Sequence, residues 1–546
     1  MKRLKYMSMM GLAALLLTTW SACSDDTDIP GGENPEEARA YTTVTIAVPN
    51  GVAETRAGTT ADTDDNTTEA GSEDEYKVKT ANLYLFPGGA SSSFGSAKLK
   101  EIISIDQFTQ MTASTADAKT IVWTSKKTAL TPGDYRIYIV VNGTVNGVTD
   151  GSKNSLTEAD FLAKTTADAT GVIAAVPEAG LVMASRSPNN DKTNTLPYIA
   201  QTITKDPEQT IAATVERMMG KITVTAGGAN VASAANVYTS FSTTVTAIGN
   251  ITNITLTGYY VVNARKEGYY FRHVDKESTA TSSLTEANYG NSTTSLPYVV
   301  DPKTYSKTFA ATPALAGSYA DWYLQGSGAF GLSSFGSFGG TYTAMPGYSS
   351  SAAETKVAAY CYENTMLKEK QKNGYTTGIV FKAEIAPSKM MKASAGSGVE
   401  EETTIGSITE IFYHSGIFYK DIAALKAAGV LLEAGTTSSS AATDLKKNDV
   451  QCFKKGSVDG KFICYYPYWI KHIPSDDVAE DVMEFGIVRN NVYKVTVTGI
   501  QGVGKDGVTE DIIIDTETDD PTTVLLNVKL SIKPWTVRAN SAVLGR

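Results

Sequence analysis

The sequence predicts an all-β protein: two tandem β-sandwich domains with few short helices. Three observations carry this expectation. Runs of β-branched and aromatic residues recur along the chain, bounded by turn-forming residues. Where these runs have a period it is two, so that one face is made for burial and one for water. Tyr outnumbers Phe by 28 to 16 in a chain heavy in Thr, Ser, Ala and Gly, a composition that suits exposed β-structure better than a helical enzyme core. With 546 residues, the chain is long for one core, and two or three domains are expected. A net charge of −10 with scattered Lys and Arg leaves no electrostatic footprint for nucleic acid. Four Cys in this length do not make a disulfide scaffold.

The first segment reads as an address. Lys2, Arg3 and Lys5 precede an apolar run from Met9 to Leu17, too short to span a bilayer and typical of a signal-peptide core. Ser21 and Ala22 lead into Cys23. This resembles a bacterial lipobox, in which the Cys thiol is diacylated and becomes the new N-terminus. Trp20 stands where that pattern usually has Leu, and an ordinary secretory signal is the alternative. Residues 24–40, rich in Asp, Pro, Gly and Glu, read as a tether.

The first strand follows. Thr42, Val44, Ile46 and Val48 alternate with Thr43, Thr45 and Ala47. Beyond it lies Arg56-Ala57, then an acidic stretch with almost no apolar content, an exposed loop where a trypsin-like protease could bind; taken alone, Arg56 reads as a surface arginine. Asp62, Asp64, Asn66 and Glu73 have calcium-loop spacing, but Thr67 stands where the sharp turn needs Gly, so a solvated loop is the better reading.

Further strands are expected at Tyr76–Phe86, Thr120–Thr124, Tyr135–Val141 and Ile254–Val262, with a strand pair within Ile211–Thr225. Ser155-Leu-Thr-Glu158 looks like a capping box for a short helix through Lys164. Asp421–Leu432 is a second helix candidate, weakened by Gly429. A boundary is placed near Lys205-Asp206-Pro207. The expected organisation is 1–22 signal peptide, 23–56 propeptide with the first strand, 57–205 N-terminal domain and 206–546 C-terminal domain. Cys452 and Cys464 are equidistant from Val458 in a hairpin signal; a disulfide and two buried free thiols are equally open.

Near the end stands the clearest alternation in the chain. Val524, Leu526, Val528, Leu530 and Ile532 are apolar at every second position, with polar Asn527, Lys529 and Ser531 between them from Leu526 on, and are followed by Lys533-Pro-Trp535, all within a terminal segment 522–537. The three His (His273, His414 and His472) are far apart, and no nucleophile elbow, phosphate-cradling loop or zinc motif is present. Neither an enzyme nor a cofactor or metal site is expected. Tyr465, Tyr466, Tyr468 and Trp469 could stack on sugars, but core strand is the better reading.

Taken in order, several of these features resemble one family. Cys23, Arg56-Ala57-Gly58, Val215-Glu-Arg217 with Lys221 and Val224, Val488-Arg-Asn-Asn-Val-Tyr493 and Lys533-Pro-Trp-Thr-Val537 resemble the fimbrillins (type V pilins) of Bacteroidales, nearest to the Mfa/FimA-like stalk subunits. The resemblance implies transthyretin-like sandwich domains. It also implies export as an outer-membrane lipoprotein, cleavage after an arginine by an arginine-specific or trypsin-like protease, and assembly with other copies and with anchor and tip subunits into a surface fimbria serving adhesion.

The residues themselves support a strand exchange. Loss of Val44, Ile46 and Val48 would open an apolar, unpaired groove, which a neighbour's 524–532 could fill by strand addition. At about 1.5–3 kcal/mol per buried aliphatic side chain, five anchors give roughly 7–15 kcal/mol against roughly 4–9 for three. That margin does not displace a covalently tethered strand, so proteolysis gives the exchange its direction. Donor and acceptor surfaces differ, so the contact is heterologous and builds an open filament. The alternatives are an anchor, tip or adhesin subunit of the same fimbria, or a surface glycan-binding lipoprotein.

Overall fold

The structure is a computed structural model of the chain. It describes residues 39–49, 69–88, 93–111, 120–166, 172–173, 175–186, 197–227, 231–232, 237–238, 251–275 and 298–302. It further describes 343–346, 348–349, 352–366, 371–372, 375–396, 398–402, 407–436, 442–456, 461–472, 484–507 and 526–537. The described elements are overwhelmingly strands in several sheets, so the all-β expectation holds.

A ten-stranded sheet is formed mainly by the first part of the chain. It contains β1 (Ala40–Pro49), β2 (Thr120–Ser125), β3 (Gly133–Val141) and β4 (Gln209–Arg217). Eight of its strands run in the order Glu101–Ile105, Ala81–Pro87, β3, Met183–Arg186, β4, β1, β2, Phe108–Gln110, while Ile199–Ile203 pairs with β3 and Thr128–Leu130 with β1. Strand alternation sorts its side chains onto two faces. Leu83, Leu85, Ile137, Ile139 and Val141 join the three anchors of β1 in one buried core. Tyr84, Phe86, Tyr138 and Val140 face the other way, against Phe161 and Leu162 of the helix Glu158–Leu162.

That helix is capped by Thr157, whose side chain accepts from the Asp160 amide, and not by Ser155 as the sequence suggested. Glu158 is instead turned inward, where it takes Arg136 Nε and Nη2 at 2.6 and 2.7 Å and the Tyr138 hydroxyl at 2.7 Å. The second helix is also shorter than expected, Ile422–Ala427 behind the cap Asp421. Gly429 at φ +87° turns the chain just after it, a conformation that ends a helix.

The strand pair expected within Ile211–Thr225 does not form a hairpin. β4 stays in the first sheet, whereas β5 (Gly220–Ala226) enters a six-stranded one. The two residues between them, Met218 and Met219, are buried; apolar residues here join two sheets where a hairpin would need polar turn formers. Sheet membership therefore changes between Arg217 and Gly220, beyond the boundary read near 205.

The six-stranded sheet also holds β6 (Thr355–Cys361). A facing sheet pairs β7 (Gly378–Pro387) with β8 (Phe462–Trp469), from Gly378↔Trp469 to Ile385↔Phe462. β9 (Asn491–Ile500) and β10 (Leu526–Val537) complete the first of these two sheets. Their inner faces share a core that includes Val224, Val495, Val497, Leu256, Phe381 and Tyr466. Between β7 and β8 the chain makes a five-stranded sheet of its own, drawn from residues 390–454. Ile411, Phe418 and Phe453 pack into the main core, and Phe412, Tyr419 and Cys452 face the helical segment instead.

Cys452 and Cys464 are both buried free thiols. The bridge Lys455↔Phe462 sets the register, one residue away from symmetry about Val458. A one-residue offset puts opposed side chains on opposite faces, and the two thiols indeed belong to different core clusters. Of the two readings left open, the structure has the two buried free thiols.

Where β4 passes into β5, a buried ionic network joins the two parts. Arg489 holds Glu363 through two bonds of 2.7 and 2.8 Å and donates to the Tyr270 and Tyr269 carbonyls. Its Nη1 lies 3.7 Å from Glu216, which also binds Arg272. Arg217 donates to the Glu75 carbonyl and to Asn490 Oδ1. Burial pushes the Glu75 carboxyl up, but Lys221 at 2.7 Å, the Tyr360 hydroxyl and the Ser72 amide outweigh it and hold it below its ordinary value. Breaking one partner of a buried pair strands the other charge. Arg489→Met is expected to cost about 3–5 kcal/mol, read from the urea midpoint; an unchanged midpoint would contradict the account.

His273 and His472 are both buried, and burial lowers each to about 3. The folded state keeps them neutral, while the unfolded chain takes up a proton below about 6.5. Their contribution is therefore fully present above that value and is lost as pH falls towards 3, at about 2 kcal/mol each by pH 5. Thermal melts from pH 8 to pH 4 should show this slope, and His472→Gln should flatten it.

Candidate functional site

β1 is an interior strand. On one side it runs parallel to β4, from Thr42↔Gln209 to Ala47↔Thr214. On the other it runs antiparallel to β2, from Thr45↔Thr124 to Pro49↔Thr120, and to the strand Thr128–Leu130 through residues 40–42. Its inward positions are Ala40, Thr42, Val44, Ile46 and Val48, each at most 1% exposed. Ile211, Ala213, Val215, Ile121 and Leu130 share the core with its apolar members. Tyr41, on the opposite phase, is half exposed.

Polar contacts fix the strand at both levels. The Thr42 hydroxyl donates to the Gln209 carbonyl at 2.9 Å, and the Val44 amide donates to Ser125 Oγ at 3.0 Å. At the entry, Arg39 Nη1 reaches Glu101 at 3.1 Å, and the other oxygen of this buried carboxylate takes the Thr131 amide. The alternation in the sequence marked the apolar anchors; nothing in it marked Glu101, 62 residues away.

β10 occupies a different position. It pairs antiparallel with β9 from Asn491↔Pro534 to Ile500↔Leu526. On its other side only Trp535–Val537 have a strand partner among the described residues, the parallel strand Glu69–Gly71. Among the described residues, 526–534 have no strand partner on that side, and an unpaired side of a strand can accept or donate pairing. Val528 and Leu530 are half-buried against the C-terminal core. Leu526 and Ile532 lie in the same strand. Cys23, Arg56, Ala57 and Val524 lie outside the described residues.

Of the aromatic run, Tyr466, Tyr468 and Trp469 are buried in β8 and Tyr465 is half-buried. Among the described residues no group of His, Cys, Asp and Glu could hold a metal ion, and no helix is long and apolar enough to cross a membrane.

Residues 460–541 match the family model described as major fimbrial subunit protein type IV, fimbrillin, C-terminal. The segment spans β8, β9 and β10, so the resemblance to the fimbrillins is borne out over the part of the chain that ends in the terminal strand. No curated protein sequence matches the chain. Among solved structures, a proposed cell adhesion protein of Parabacteroides distasonis ATCC 8503 aligns at 12% identity and a TM-score of 0.40, covering 91% of this chain and 100% of its own. One from Bacteroides eggerthii DSM 20697 aligns at 13% and 0.34, covering 93% and 99%. The C-terminally truncated tip fimbrial protein Mfa3 of Porphyromonas gingivalis aligns at 11% and 0.32, covering 91% and 100%. Likeness at this level carries none of the reasoning below.

Ile46 is completely buried in the centre of β1. Ile46→Ala is expected to destabilise the uncut chain by about 2–5 kcal/mol, whereas Thr43→Ala on the outer phase should change it by less than about 0.5 kcal/mol. Equal effects in denaturant titrations would mean that β1 is not held by its inward face.

Proposed function

We propose that the chain is a structural subunit of a cell-surface fimbria that serves adhesion. It is exported as a lipoprotein through Cys23, reaches the outer membrane, and is activated by cleavage between Arg56 and Ala57. Cutting there leaves β1 attached to the body of the subunit by noncovalent contacts alone. Its departure uncovers the edges of β4 and β2 and the apolar surface between them, and the terminal strand of a second copy fills the place by strand addition. Because the groove and the donor strand are different surfaces, each added copy offers a fresh groove or a fresh strand, and growth is open-ended. Anchor and tip subunits terminate such a filament.

The observation that carries this reading is a match of pattern to position. β1 is an interior strand with five inward positions, and the terminal segment offers five apolar residues at the same period. The fimbrillin match over 460–541 points the same way. The division into a propeptide ending at 56 and a donor segment 522–537 belongs to this proposal.

The test is limited trypsin treatment of the chain beginning at Ser24, read by intact mass and electron microscopy, beside Arg56→Ala. Cleavage at Arg56 followed by ladder-forming polymers is expected, and the variant should stay monomeric. A cleaved chain that remains a stable monomer would overturn the reading.

A further inference from the structure

We propose that a cavity at one end of the ten-stranded sheet receives Trp535 of a second copy when that copy's terminal strand takes the place of β1. The inference rests on the strand-replacement reading above and adds to it a specific acceptor site for one side chain.

The cavity has a volume of about 330 Å³ and is lined mainly by apolar groups, among them Leu181, Met218, Met219, Tyr270 and Tyr362. Met218 and Met219 follow directly on the last residue of β4, and Leu181 lies just before the strand Met183–Arg186, which pairs with β4 at Met183↔Arg217. The cavity therefore sits at the end of the sheet towards which β1, running parallel to β4, points.

Register gives the position. A donor whose five apolar residues take the five inward positions of β1 puts Val524 at Ala40 and Ile532 at Val48. β1 meets β4 with a constant offset, Thr42 opposite Gln209 and Ala47 opposite Thr214. Continued past the end of β1, that offset brings Trp535 opposite Met218.

Phase gives the face. Val524 to Ile532 share the phase of Val44 and Ile46, whose core is the inner one. Trp535 is on the other phase, because successive residues of a strand point to opposite faces. The outer face carries a second core, which contains Leu181, Met218, Met219, Tyr270 and Tyr362. Position and face thus agree on the same cavity.

Size and chemistry agree as well. An apolar cavity of roughly 150 Å³ already accommodates benzene, so an indole fits within this one. Methionine side chains adapt to an aromatic ring and make favourable sulfur contacts with it. Thr144 and Asn146 in the lining offer oxygen acceptors to the indole N–H, which a buried Trp requires.

The experiment uses a synthetic peptide of residues 522–537, fluorescently labelled, with Trp535 or with Trp535→Ala. Each is loaded in excess onto the chain cleaved after Arg56, and its dissociation rate is measured. The Ala peptide is expected to leave at least tenfold faster. Met219→Trp, or Leu181→Trp should the first variant misfold, fills the cavity and should abolish the difference between the peptides. Equal rates on the unaltered chain would overturn the cavity inference and leave strand replacement standing. Failure of both peptides to bind would overturn strand replacement and the cavity together.

Discussion

The buried charges around Arg489 set the frame within which every other element acts. Glu216 and Arg217 end a strand of the first sheet; Glu363, Arg489 and Asn490 belong to the C-terminal part. Desolvating so many ions is costly, and the cost is offset only when each has its partner in place. The result is a joint that is stable in one arrangement and poor in any other. Burial raises the Glu363 carboxyl even though Arg489 opposes it, a sign of how little solvent reaches this junction. Because β4 is anchored there, the strand that lines one side of the β1 slot is held firmly at its far end.

Against that fixed background, β1 is held by its inward side chains and by pairing on both edges. Its neighbours are remote in sequence, and it is the strand through which β2 and Phe108–Gln110 join β4 in one sheet. The terminal strand is paired along its length with β9 on one side and, among the described residues, only through Trp535–Val537 on the other, with Val528 and Leu530 half-buried.

Much of the fold was legible where information is local. Strands such as β2 and β3 were readable from β-branched and aromatic runs. A third helix, Ala442–Lys447, was not read, but the two expected helices were found near their true positions. Their ends were not, because Glu158 is drawn into an ion pair with Arg136 and because Gly429 turns the chain early. The separation of β4 from β5 was missed since local propensity favours strand on both sides of Met218 and says nothing about which sheet each joins. The ionic joint was equally invisible: Arg217 and Asn490 meet across 273 residues. Spacing left the state of Cys452 and Cys464 open, because it does not resolve the register shift of one residue that separates them. Of the candidate site, the apolar anchors were legible from alternation, whereas the interior position of β1 and the clasp of Arg39 on Glu101 required the long-range pairing.

The segment between β7 and β8 bears on how such a chain can diversify. These two strands are zipped along their length as neighbours, with Ile385 opposite Phe462, so the excursion between them leaves and returns at nearly one point. Its inner face is committed to the main core through Ile411, Phe418 and Phe453. Its outer side, with the helix Ile422–Ala427 and the exposed Leu431, can lengthen, shorten or change sequence without moving a single rung of the β7–β8 ladder. This outer side is where the sequence can vary at least cost to the fold.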